Sequence, residues 1–418
     1  MANEKEEILE EKQEVVEEKE EKEFEFPEEL LEKRYVQSTG FRNIDTNVTL
    51  VEYDEETGNT IKINRGILSG SIVTFTGVSG GGKSTLAFQI TTNLMRKYIR
   101  KKDFRVKCHI FDIEQGMSRS RFKNITNLTD REISNHFKWE TDVSLDNLHA
   151  FLRKTIDYKK ESKDYVEEIN TMGKKIKTYP PTFVIVDAIS EIVSKDYMDG
   201  EKRTNMDDAQ RFRELATFFR RYLYPLVEYN INLICVSHLS ENIETSMFDK
   251  ATRQWKAMPA KYKIGGGKAL LYATSIGIWI KRIVANSPDA VAKKAAYLKD
   301  NAYAIMEGVL FKNRQGQEDN SIFLVSDNDG FNPMKSFLYE CSENKLIYAS
   351  GSKRKIVNWE EVYTSSNLIK NFIENPDLRT HLFNEYDKIK SYVFEANKKT
   401  NEDRKKALDI LDMMMIED

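Results

Sequence analysis

The chain has 418 residues, 40% of them apolar and 11% aromatic, which is enough to bury a sizeable core and excludes a wholly disordered polymer. Its formal charge is only −3, but residues 1–33 hold 15 Glu against 5 Lys, so an acidic arm is joined to a mildly basic body and the near-neutral average does not exclude a polyanionic partner. Cys108, Cys235 and Cys341 form no C-x-x-C pair, which argues against a disulfide framework or a zinc site. The amino terminus lacks the basic-then-apolar order of a signal peptide, and no run approaches the ~18 apolar residues of a membrane span, so a cytoplasmic protein without a membrane partner is expected.

Residues 1–33 read as a solvated helix or disorder, because Ile8, Leu9, Val15 and Val16 are too sparse for a heptad seam. Residues 34–70 read as an entry or oligomerisation segment. From Ser71 onward, short apolar runs alternate with stretches of helical period, the pattern of a mostly parallel sheet covered on both faces in an α/β core. The runs are IVTFT at 72–76, VKCHIFDI at 106–113, FVIVDA at 183–188, INLICVS at 231–237 and SIGIWIKR at 275–282. Helices are predicted over 84–101, 145–158 and 206–229, the last with Phe212, Leu215, Phe219 and Leu223 as an apolar stripe. VLFKN at 309–313 and SIFLVSD at 321–327 extend the sheet across a hairpin-like RQGQEDN, and the charged stretch 156–180 reads as a surface excursion. The core therefore spans 71–345. Residues 346–418 carry Leu368, Phe372, Leu378, Leu382, Tyr386, Ile389 and Tyr392 at helical spacing, which predicts a small C-terminal helical domain.

GVSGGGKST at 77–85 (Gly77, Val78, Ser79, Gly80, Gly81, Gly82, Lys83, Ser84, Thr85) matches G-x-x-x-x-G-K-[ST] between an apolar strand and a helix, the context its mechanism requires. Backbone N–H groups of the glycines approach phosphate without a Cβ in the way, Lys83 reaches the β and γ phosphates, and Ser84 is suited to Mg²⁺. Asp187 ends the strand FVIVDA, where a carboxylate is costly unless it faces a metal or a hydrogen-bond partner, so a Mg²⁺-linked role is expected. Glu114 ends HIFDIEQG and is the candidate for orienting the attacking water; Asp112 is its competitor, since alternation puts both on one side of an ideal strand. Ser237 and His238 end the fourth strand, where polar groups sense a γ-phosphate, although a histidine there serves equally as a structural residue.

With these motifs in place the chain resembles the RecA family of recombinases, in particular the phage UvsX-like branch, over about residues 35–395. The resemblance rests on STGFRNID at 38–45 with RGILSGSIVTFTG at 65–77, on FDIEQG, on VSHLSE, on IGGGKALLYATSIGIWIKR at 264–282, on FKNRQGQ, and on LIKNFIENPDLRTHLFNEYDKI. It implies a RecA-like P-loop ATPase fold with a C-terminal helical domain, ATP and Mg²⁺ as cofactors, Glu114 as the catalytic glutamate, and His238 as the γ-phosphate sensor. Lys312 and Arg314 are implied as cations that reach a neighbouring subunit's nucleotide. Where the family stacks an aromatic on adenine this chain reads SRSRF, leaving Arg121 and Phe122 as alternatives.

Two segments follow strands at the carboxyl edge of the sheet and are candidates for DNA. The first, 195–206, contains Lys202 and Arg203; the second, 240–267, carries Lys250, Arg253, Lys256, Lys261 and Lys263 among Phe248, Trp255 and Tyr262, and closes on Gly266 and Gly267. Cations track phosphates while aromatic groups contact bases without reading sequence. The expected function is an ATP-dependent recombinase that forms a helical filament on single-stranded DNA, pairs it with homologous duplex DNA and exchanges strands, with single-strand-binding and loader proteins as candidate partners. A DnaB-type hexameric helicase and a RecA-like ATP-binding scaffold or mediator with little turnover are its rivals. The helicase lacks support from a large helical amino-terminal domain, and the charge split across residue 33 suggests an arm that competes with DNA for the basic body.

Overall fold

The computed structural model describes residues 32–53, 60–195, 205–241, 262–284, 295–298, 304–316, 318 and 320–390. The acidic arm, Tyr392 and most of both candidate DNA segments, including Lys202, Arg203, Phe248, Lys250, Arg253, Trp255, Lys256 and Lys261, lie outside the described residues.

A ten-stranded, mostly parallel sheet forms the centre. Its strands are β1 (Ile72–Gly77), β2 (Lys107–Asp112), β3 (Phe137–Trp139), β4 (Thr182–Asp187), β5 (Ile231–Glu241), β6 (Tyr262–Ile264), β7 (Ile276–Val284), β8 (Ala304–Asn313), β9 (Ser321–Asp327) and β10 (Gly330–Phe331). The order is β10-β9-β8-β7-β1-β5-β4-β2-β3, with β6 added antiparallel to the far end of β5. The pairs from β7 to β3 are parallel, and β8, β9 and β10 continue the sheet antiparallel. Every residue of β1 and β4 is buried, as expected of apolar runs with helices on both faces.

The helices are α1 (Arg42–Asn47), α2 (Lys83–Arg100), α3 (Arg119–Thr126), α4 (Asp130–His136), α5 (Leu145–Ser162), α6 (Asn205–Glu228), α7 (Gly267–Ala273), α8 (Pro333–Glu343) and α9 (Leu368–Glu374). Alternation divides the sheet's side chains between two cores. Val73, Phe75, Ile185 and Ile234 pack with α2, α3 and α4, while Ile72, Val184, Val186 and Leu233 pack with α5, α6 and α7. On α6 the predicted stripe is displaced: Leu215 and Phe219 are buried, but Phe212 and Leu223 are exposed, and Phe218, Tyr222 and Leu226 take their place. Spacing of three and four fits either set, and only the sheet beneath selects between them.

The charged stretch after α5 is not a plain excursion. It folds into a hairpin of Val166–Ile169 against Lys175–Thr178, and Glu168 accepts from Tyr98 Oη at 2.5 Å and pairs with Lys97 at 2.6 Å. Nearby, Lys159 is buried and donates to Pro180 O at 2.7 Å and Tyr229 O at 2.8 Å. Burial pushes its ammonium down to about 7. The unfolded chain keeps that proton up to the ordinary lysine range, so stability rises as pH climbs from about 7 toward 10.5, and the cost of the buried charge is full below 7. Urea unfolding at pH 7 and pH 9 is therefore expected to show a gain in stability for the parent protein relative to Lys159→Met; an equal pH response in both proteins would refute this.

The C-terminal unit is mixed rather than purely helical. Three antiparallel strands, Ile347–Ser350, Lys353–Ile356 and Val362–Thr364, precede α9 and a helical stretch over 376–390. Leu368, Phe372, Leu378, Leu382 and Tyr386 are buried as predicted, and Ile389 is exposed. Their core also takes in Ile305 and Val325 from the central sheet and Phe337 and Leu338 from α8, so packing is continuous across residue 346. Among the described residues no helix is long and apolar enough to cross a membrane.

Candidate active site

The phosphate loop joins β1 to α2. Gly77 lies against the Ile280 carbonyl of β7, so closely that a Cβ there would collide with it, and Gly82 at the start of α2 has φ +83°, in the left-handed region. Gly81 N donates to Val78 O at 3.2 Å, and the Lys83 ammonium donates to Val78 O at 3.1 Å, so the lysine is folded over the loop it belongs to. Burial lowers the pKa of Lys83, against the opposing pull of Glu114 and Asp187.

Register places the other candidates beside this loop. His238 pairs with Gly77 across β5 and β1, Asp187 with Val236 across β4 and β5, and Asp112 with Asp187 across β2 and β4. Neighbouring strands lie about 4.8 Å apart, so one sheet edge brings these groups together. Asp187 is buried, and its Oδ1 has no hydrogen-bond partner among the described residues. Burial pushes its carboxyl up to about 6, with Glu114 and Asp112 adding to the rise and the Ser84 hydroxyl and Lys83 opposing it. An orphaned carboxylate oxygen facing Ser84 fits a cation held chiefly by phosphate and water. No three His, Cys, Asp or Glu side chains cluster as metal ligands among the described residues.

Asp112 and Glu114 differ in where the end of β2 leaves them. Asp112 is its last residue, buried, with its carboxylate accepting from Met117 N at 3.4 Å. Glu114 lies beyond the strand, held there by its neighbour Ile113, whose N–H donates to Asp187 O at 2.7 Å. The Glu114 carboxylate is partly exposed and contacts His238 Nε2. His238 N donates to Ser190 Oγ at 3.2 Å, His238 O accepts from Gly265 N at 2.8 Å, and Ser237 Oγ donates to Gly265 O at 2.8 Å. Sequence reasoning singled out Gly266 and Gly267, whose φ of +87° and +75° start α7, but passed over Gly265. A Cβ on Gly265 would meet Ser190 Cβ at 2.7 Å, so β6 docks on His238 only with glycine there. Lys263 of β6 is exposed.

A cleft of about 710 Å³ opens on the other side of the loop, between α3 and the turn linking β9 to β10. Gly80, Thr85, Arg121, Asn124 and Arg282 are among its lining residues. Of the two candidates for a stacking contact, Phe122 is buried in the core against Phe88 and Phe137, and Arg121 lines the cleft. Phe331 closes the floor beneath Gly82, clamped by the Gln89 amide, which donates to Phe331 O at 2.9 Å and accepts from Phe331 N at 2.8 Å.

Lys312 and Arg314 are not in this site. Asn313 pairs with Ile276, which pairs with Val73, so the two cations flank the amino edge of the sheet, while the phosphate loop leaves the carboxyl edge about 13 Å further along β1. Lys312 pairs with Glu318 at 3.2 Å, and the Arg314 guanidinium donates to Tyr272 O. No protein-family model matches the chain, and no curated protein matches it either.

Proposed function

We propose that the chain is a RecA-like, DNA-dependent ATPase that polymerises on single-stranded DNA, pairs it with a homologous duplex and exchanges strands. One observation carries this reading: the phosphate loop, Asp187, Glu114 and His238 converge on one sheet edge, and β5 runs on from His238 into the hairpin that bounds residues 242–261. In this reading ATP leaves its γ-phosphate against Lys83 and Glu114. Water attacks the γ-phosphorus, the bond to the β–γ bridging oxygen breaks, Glu114 takes the water's proton, and ADP and phosphate depart. Ser84 and Asp187 are the residues that would hold Mg²⁺, which when bound neutralises charge on the phosphates.

His238 has two partners to choose between. It engages the Glu114 carboxylate, and a γ-phosphate would offer it a competing acceptor and free Glu114 for water. The hydrogen bonds that Gly265 N donates to His238 O and that Ser237 Oγ donates to Gly265 O would carry that choice into β6 and α7. Electron microscopy with ATP and single-stranded DNA tests the assembly: helical filaments are expected, whereas closed hexamers would favour a helicase and isolated particles a scaffold.

Lys312 and Arg314 act on the neighbouring protomer's nucleotide, a role supported by their resemblance to the family's cation pair and by their distance from their own phosphate loop. Lys312→Ala/Arg314→Ala protein and Lys83→Ala protein are each expected to be nearly inactive, yet to regain ATPase when mixed, where an intact pocket meets an intact cation pair. A co-assembled mixture giving only the sum of the two mutant rates would rule out a shared site.

A further inference from the structure

Arg282 ends the run SIGIWIKR at 275–282, and nothing above gives it a role. Ile280 pairs with Gly77, so Arg282 stands two residues beyond the point where β1 turns into the phosphate loop. Ile280 faces the α2 core, and alternation gives Arg282 the same side, over the loop, while Lys281 on the opposite side pairs with Glu307 at 2.9 Å. The Arg282 guanidinium donates to Gly80 O at 2.6 Å and lines the cleft beside Thr85 and Arg121. A guanidinium carries five N–H donors, and this bond uses one. Among the described residues no carboxylate pairs with Arg282. Among the described residues, Lys83 and Arg282 are the cations bonded directly to the phosphate loop.

The two sides of the loop are chemically different. Consecutive residues on α2 point about 100° apart, and Ser84 faces Asp187 while Thr85 faces the cleft. The groups suited to hydrolysis, Asp187 on β4, His238 on β5 and Glu114 just past the end of β2, all lie on the β5 side of β1. Arg282 belongs to β7 on the other side, where the cleft has room for a nucleoside. A triphosphate laid on the loop with its nucleoside in the cleft would run toward Glu114, so its first phosphates would pass Arg282 and its last one would not.

We propose that Arg282 is a nucleotide-binding residue that grips the α- and β-phosphates within its own protomer, anchored to the loop by one donor and presenting the rest to the ligand. It rests on the nucleotide reading above and adds to it a cation that does not distinguish ATP from ADP. Arg282 thereby governs how long the product stays, whereas Glu114 and His238 respond to the γ-phosphate.

The test is equilibrium binding of ATP and of ADP to protein carrying Glu114→Gln, so that ATP persists, with Arg282 as Arg, Lys, Gln or Ala. Arg282→Gln retains a donor for Gly80 O but lacks the charge. It is expected to weaken both nucleotides about tenfold, the factor that 1.4 kcal/mol represents, with their affinity ratio unchanged. Arg282→Lys should recover part of the loss, and added salt should narrow the gap between Arg and Gln. A loss confined to ATP would move Arg282 to the γ-phosphate, and a Gln variant binding ADP like the parent would reduce it to a brace for the loop; either result overturns the proposal. Failure of the parent itself to bind either nucleotide would overturn the nucleotide reading as well.

Discussion

Replacing Lys83 with alanine is expected to weaken ATP binding and leave no measurable turnover, whereas Glu114→Gln should bind ATP as the parent does and lose about 10² to 10⁴ in kcat. The difference follows from what each group touches. Lys83 is the buried ammonium beside Val78 O at 3.1 Å, placed to exchange that carbonyl for a phosphate oxygen. Glu114 contributes no bond to the loop and contacts His238 instead, so its removal spares binding and deprives water of its base. Single-turnover hydrolysis at saturating ATP and DNA separates these effects. Equal rates for the parent and Glu114→Gln would transfer the role to another carboxylate, with Asp112 already engaged by Met117 N.

Glu340→Ala should be the most damaging single change away from the site, costing roughly 3–5 kcal/mol. Glu340 is fully buried on α8, and three elements converge on it: Asn43 Nδ2 of α1 donates at 2.8 Å, Phe323 N of β9 donates at 3.1 Å, and the Tyr386 hydroxyl of the helical stretch 376–390 donates to its other oxygen. Lys390 Nζ stands 3.7 Å away. Alanine would leave the Phe323 N–H and the Tyr386 hydroxyl without an acceptor and take from Asn43 Nδ2 one of its two acceptors, the other being Phe323 O at 2.8 Å; each lost acceptor is a desolvation cost of about 1–3 kcal/mol, while Glu340→Gln keeps an oxygen for some of them and should cost less. Urea unfolding of the three proteins checks the order; an alanine variant within about 1 kcal/mol of the parent would mean that water reaches those donors, contrary to their burial.

How far the residues could be read in advance depended on whether their signal was local. The phosphate loop was legible because strand, glycines, lysine and helix are contiguous, and Asp187 and Glu114 because each sits at or just beyond the end of an apolar run. Arg121 and Phe122 were not separable, since adjacent residues on a helix point about 100° apart and only the surrounding core decides which is buried. Phe212 and Leu223 misled for the same reason. Glu340 and Gly265 gave no signal at all: their partners are far away in the chain, and a lone glutamate or a third glycine in a row carries no periodicity. Arg282 was hidden differently, at the end of a strand whose direction was clear but whose neighbour was not.

The continuity of β5 past His238 has a mechanical consequence. A paired strand resists bending, so the three pairs from Leu239 to Glu241 with Ile264 to Tyr262 behave as a short arm whose pivot is the histidine. The arm is about 10 Å long at 3.3 Å per residue, and a tilt of about 10° at the pivot carries its tip roughly 2 Å. Docking of Gly265 on His238 and Ser237 ties both strands of the arm to that pivot. A change at His238 too small to alter the sheet would therefore be enlarged at Glu241 and Tyr262, which are paired and would shift together.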